Sequence, residues 1–127
     1  MSASPGHTKH PDHKVRENRL TDHMVAMLNG QPLADSRDVI RVDEDGSPAR
    51  LYFPRADVRM DQLQASATTT YCPFKGTAVY FSILGDGQQV LKDAAWSYEE
   101  PYDEHPDLKG RISFYVERAP QIQIVRE

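Results

Sequence analysis

A single cysteine in 127 residues rules out an internal disulfide framework and any zinc site built from two Cys-x-x-Cys pairs. No stretch approaches the roughly 18 apolar residues of a membrane span. No apolar segment follows the first methionine either, so the expectation is a soluble, cytoplasmic protein without a secretory leader. An excess of basic charge is also missing: the net charge is −4 and the isoelectric point is near 5.7. That balance argues against a nucleic-acid partner held through its phosphates, and no basic stripe is interleaved with aromatics. The phosphate loop GxxxxGK[ST], the dinucleotide fingerprint GxGxxG, the zinc-protease HExxH and the nucleophile elbow GxSxG are all absent. What is present is 39% hydrophobic residues, enough for one modest core and one domain.

The first 13 residues, MSASPGHTKHPDH, offer little to bury and read as a flexible N-terminal arm. They contribute to a mean hydropathy of −0.66. His7, His10 and His13 within the arm are spaced by three, but a loose segment holds no metal geometry in advance. From residue 14 to 127 the chain reads as one compact unit of short strands. Asn29-Gly30 is the strongest hairpin signal, because both residues tolerate positive φ. Asp43–Pro48 is a polar turn between Val39–Val42 and Leu51–Phe53. Gly85-Asp86-Gly87 separates Thr77–Leu84 from Gln89–Tyr98. Ile112, Phe114 and Val116 alternate with polar neighbours across Arg111–Arg118, and Ile122 and Ile124 do so across Gln121–Val125. Period 2 with frequent turns predicts a mainly β domain of antiparallel sheets. One segment is ambiguous: Leu20, Met24, Met27 and Leu28 fall at helical spacing, yet the run leads straight into Asn29-Gly30.

Four stretches could carry chemistry. Arg55, Asp57, Arg59 and Asp61 alternate in sign. They read as an anion site in which Asp57 orients Arg55, or as a structural ion-pair ladder. In Thr68–Gly76, Cys72 lies three residues from Lys75, and a nearby ammonium favours the nucleophilic thiolate. Cys72 reads equally as a small buried hydrophobe, while Pro73 and Gly76 present Lys75 on a turn. Trp96 and Tyr98 share one face of a strand and could wall a ligand or belong to the core. The acidic run Glu99–Asp107 contains Glu104 and His105, candidates for proton transfer, inside what otherwise reads as a solvated loop.

The strings Tyr52–Arg59 (YFPRADVR), Cys72–Gly76 (CPFKG) and Ala94–Pro101 (AAWSYEEP) resemble, in order and spacing, domain-of-unknown-function family 427. The resemblance covers roughly residues 10–125. It implies a small, strongly bent antiparallel β fold similar to the β-tent proteins. Zinc-binding relatives of that kind use two Cys-x-x-Cys pairs, which this chain lacks, so no zinc site carries over. The resemblance also implies that the stretch matching His23–Leu28 is a strand. The family has carried a nucleotidyltransferase label, but this chain has no Gly-Ser pair followed by paired metal-binding aspartates. No established activity comes with the family.

Two functional expectations follow. In the first, Arg55, Asp57, Lys75, Trp96 and Tyr98 converge in a hollow for an unknown small molecule bearing an anionic group. If chemistry follows there, Cys72 is the nucleophile and Glu104 or His105 handles protons. In the second, the domain is a non-enzymatic interaction module, a homodimer included, that uses a sheet edge and the acidic loop. No cofactor and no metal is expected in either.

Overall fold

The computed structural model describes residues 3–85 and 88–127. Ten strands follow a short helix α1 (Pro5–Lys9). They are β1 (Val15–Leu20), β2 (Met24–Leu28), β3 (Gln31–Ser36), β4 (Val39–Glu44), β5 (Arg50–Phe53), β6 (Leu63–Cys72), β7 (Gly76–Gly85), β8 (Gln88–Tyr98), β9 (Ile112–Phe114) and β10 (Ile122–Arg126). Seven form one antiparallel sheet in the order β1-β4-β5-β9-β8-β7-β6, and β10-β2-β3 form a second. The fold is therefore mainly β, with two antiparallel sheets and no closed barrel. No helix among the described residues is long and apolar enough to cross a membrane.

Asn29 and Gly30 take φ of 52° and 80°, the paired positive values of a tight hairpin turn between β2 and β3. This turn decides the ambiguous segment. Met24–Leu28 is a strand, because cross-strand pairing with β3 and β10 outweighs its helical spacing. The polar turn after β4 stands where it is expected. The strand expected over Arg111–Arg118 stops at Phe114, and Val116 instead packs at the margin of the core. Asp86 and Gly87, the expected turn between β7 and β8, lie outside the described residues.

Alternation of side chains gives the large sheet two apolar faces. Phe53, Phe81, Ile83, Ala95, Ile112 and Phe114 meet Ala26, Leu28, Leu33 and Ile122 of the small sheet, forming the main core. The opposite face carries a second cluster of Ile40, Val42, Tyr52, Ala78, Trp96, Tyr98 and Leu108. The register of the large sheet breaks on two adjacent strands, β6 and β7. Shifts fall between Ala65 and Thr69 on β6 and around Ser82 on β7. At the same level Asp93 on β8 takes φ of 50°, donates its backbone N–H to Ser82 Oγ and accepts a hydrogen bond from Thr68 Oγ1. Bulges in adjacent strands sharpen the twist and curl a sheet.

The first residues lie against this body, where their composition predicts a loose arm. Ser4 is fully buried. Its Oγ and the Gly6 N–H both donate to the Pro73 carbonyl at 2.6 and 2.8 Å, and its own N–H donates to Glu104. Composition misses this docking because hydrogen bonds and ring contacts hold it, not apolar burial.

Candidate functional site

The second apolar cluster opens into a hollow of about 170 Å³, lined by Val42, Glu44, Arg50, Tyr52, Lys75, Tyr80, Trp96, Tyr98 and Tyr115 with Ser47 and Pro48 at its border. Strand alternation produces the lining. Tyr80 pairs with Trp96 and Ala78 with Tyr98 across β7 and β8, so the aromatics of both strands project the same way. Tyr52 on β5 belongs to the same face. Trp96 Nε1–H donates to Tyr52 Oη at 3.1 Å, and the two rings meet edge to face at 6.2 Å. Ser113 pairs with both Tyr52 and Trp96. Its buried hydroxyl has no partner among the described residues.

Lys75 is 7% exposed. Its Nζ forms an ion pair with Glu44 Oε1 and lies 6.0 Å from the Tyr98 ring centre. Burial pushes the Glu44 carboxyl up, but hydrogen bonds from Lys75 and His13 outweigh it and hold the group below the usual carboxylate range. Burial raises the phenols of Tyr52 and of Tyr98. Both remain protonated at neutral pH and can donate hydrogen bonds. The charged residues lining the hollow are Lys75, Arg50 and Glu44; Lys75 pairs with Glu44, and Arg50 with Glu117 beyond the lining.

Arg50 escapes the sequence analysis. Its guanidinium lies 5.2 Å from the Trp96 ring centre and 5.3 Å from that of Tyr115, and it pairs at the rim with Glu117. The usable signal is its position two residues before Tyr52, which on a strand places it on the same face.

Three of the five residues expected to converge, Lys75, Trp96 and Tyr98, thus come together. Arg55 and Asp57 do not join them. Arg55 Nη2 donates to Ser97 Oγ at 3.1 Å and to Glu99 Oε1 at 2.8 Å, and its Nε donates to the Gly110 carbonyl. Ser97 alternates with Trp96 and Tyr98, and the Arg55 guanidinium lies 5.6 Å from the Phe81 ring centre, so Arg55 sits on the far face of the sheet. It is oriented by Glu99, whereas the Asp57 carboxylate is exposed and pairs with nothing among the described residues. The alternation of Arg55, Asp57 and Arg59 builds no common charged face because 3-10 turns, Arg55–Asp57 and Met60–Gln62, replace an extended strand there.

Cys72 is half-buried beside the second cluster. The ammonium expected to activate it is turned to Glu44 instead. Glu104 Oε1 accepts the Ser4 N–H at 2.9 Å. His105 is buried, with Nδ1 2.6 Å from Glu17 Oε2 and Nε2 2.9 Å from His7 Nε2. Both acid–base candidates are therefore engaged with the N-terminal segment, through Ser4 and His7. Among the described residues no group of three or more His, Cys, Asp or Glu side chains is placed to hold a metal ion.

No curated protein matches the chain. A family model does, over residues 16–125, and on that match the chain belongs to the family described as Domain of unknown function (DUF427).

Proposed function

We propose that the domain binds a small molecule of about one ring carrying an anionic group, in the hollow between Lys75 and Trp96. The observation that supports it most is the lining itself. Five aromatic rings, two cations and one carboxylate surround about 170 Å³, a volume comparable to the ~150 Å³ apolar cavity that takes up benzene. Packing alone does not require a cation stacked on the rim aromatics Trp96 and Tyr115. A flat ligand would lie against Trp96 and Tyr80. Its acidic group would meet Arg50 and Lys75, with the protonated Tyr52 and Tyr98 hydroxyls as further donors. Binding is the function this arrangement supports best. With Lys75 paired to Glu44 and Glu104 tied to Ser4, no nucleophile–base pair is assembled beside Cys72.

The acidic loop lends less to an interaction module. Glu99 turns to Arg55 and Glu104 to Ser4, so these two of the loop's five carboxylates are already engaged within the domain.

Calorimetric titration tests the proposal with benzoate as an anionic probe and benzyl alcohol as a neutral one of similar size. Benzoate is expected to bind, benzyl alcohol at least tenfold more weakly, and Arg50→Gln to lose most of the benzoate affinity. Equal binding of the two probes, or benzoate binding indifferent to Arg50→Gln, would overturn the reading.

A further inference from the structure

We propose that residues 4–13 are a strap that controls access to the hollow by clamping the turn that carries Lys75. The proposal rests, for its functional meaning, on the hollow being a ligand site. Its structural content stands separately.

The strap grips the Pro73–Lys75 turn from two sides. At one end Ser4 Oγ and the Gly6 N–H converge on the Pro73 carbonyl. The fit is close: a Cβ on Gly6 would stand 2.7 Å from that oxygen and 2.8 Å from the Phe74 ring. At the other end His13 stacks on Phe74, with ring centres 4.2 Å apart and planes 22° from parallel, and its Nε2 lies 2.9 Å from Glu44 Oε2. The other oxygen of that carboxylate holds Lys75. One carboxylate thus joins the strap to the hollow. His7 makes the third anchor through His105, itself fixed by Glu17.

What fastens the strap also makes it separable. Between Ser4 and His13 there is no aliphatic side chain larger than proline, and the helix within it is five residues long. A segment held by hydrogen bonds and ring contacts, with few buried apolar contacts, opens at a lower free energy than the body it covers. Release of the strap would free one oxygen of Glu44 and the Pro73 carbonyl. The Lys75 turn and the Glu44 carboxylate, still paired, could then shift together, widening the mouth of the hollow without unfolding either sheet.

Gly6→Val in the full chain tests this, because its Cβ cannot occupy the docked position. Hydrogen exchange at the amides of Gly6, His7 and His10 reports docking. Acrylamide quenching of Trp96, the sole tryptophan and part of the lining, reports access. Benzoate exchange rates report the consequence. The strap amides should lose protection, the quenching constant of Trp96 should rise at least twofold, and benzoate should exchange at least fivefold faster. Ser4→Ala, which removes two hydrogen bonds without a clash, should shift each readout the same way by less and serves if Gly6→Val does not fold. Loss of protection with unchanged Trp96 quenching would overturn the strap, as would full protection in Gly6→Val. Faster quenching without any benzoate binding would support the strap and count against the ligand reading alone.

Discussion

The ammonium of Lys75, on the turn between β6 and β7, is paired with the carboxylate of Glu44 at the end of β4, although β4 and β7 stand four places apart in the same sheet. In a flat sheet four strand spacings would separate them by ~19 Å. The contact therefore requires the sheet to curl, and the hollow lies inside that curl. Lys75 is at once a lining cation and the tie between the two halves of the sheet.

The tie makes Lys75→Ala a costly substitution. Removing one partner of a buried ion pair strands the other, at about 3–5 kcal/mol. Urea denaturation should show a loss of that order. Lys75→Met, which keeps the stem packed against Tyr98, and the double change Lys75→Met with Glu44→Gln should each cost less than Lys75→Ala. A loss under about 0.5 kcal/mol for Lys75→Ala would mean that the pair does not hold the curl.

Acid should loosen the strap before it unfolds the sheets. Burial and the neighbouring His105 lower the His7 pKa, against a smaller raising effect of Glu104; His13 lowers it further and Glu44 raises it. A histidine whose docked pKa lies below its free value near 6.5 favours docking above that pH and loses the contribution as pH falls. Glu44, held below its ordinary 4.5, acts in the same direction at lower pH. Hydrogen exchange of the strap amides, corrected for intrinsic rates, should accelerate between pH 7 and 5 while the protection of β7 and β8 is retained. His7→Asn should flatten the upper part of that profile.

Arg55 and Asp57 should separate sharply in mutagenesis. Arg55→Ala removes donors from Ser97, Glu99 and the Gly110 carbonyl and should cost about 1–3 kcal/mol. Asp57→Ala should stay within about 0.5 kcal/mol, as exposed positions without partners do. Benzoate binding by Arg55→Ala, measured where the variant is folded, should equal that of the parent protein.

Gly76 is the most constrained glycine of the site. Its φ is 119°, and a Cβ there would stand 3.3 Å from the Glu100 carbonyl. Gly76→Ala should cost about 1–3 kcal/mol. Gly30→Ala is also strained at φ of 80°, but it meets nothing within 4 Å and should cost less. Paired thermal melts of the two variants check the order.

Much of the fold is legible in the sequence because turn chemistry and period-2 alternation are local properties. Asn29-Gly30, the polar turn after β4 and the alternation over Gln121–Val125 point to their elements directly. The three shared motifs identify the family. The site was legible only where strand parity decides it, as for Trp96 and Tyr98. Which face Arg55 takes depends on two 3-10 turns and on Glu99, more than forty residues away, and no local pattern records that. Arg50 carries no motif signal, because in the sequence it sits between a turn and a strand. The docking of the N-terminal segment was invisible for a different reason. Composition measures what can be buried, whereas Ser4, Gly6 and His7 dock through hydrogen bonds whose partners, Pro73, Glu104 and His105, come from distant loops.

The reading in which a small anionic molecule binds in the hollow beside Trp96 is open to a direct test at the indole itself. With one tryptophan in the chain, a proton–nitrogen correlation spectrum carries a single indole N–H signal, and that proton is the one donated to Tyr52. Titration with benzoate is predicted to shift this signal saturably, with the shift lost in Arg50→Gln and absent with benzyl alcohol at the same concentrations. An indole signal that stays in place through millimolar benzoate, while signals elsewhere on the surface move, would contradict the claim.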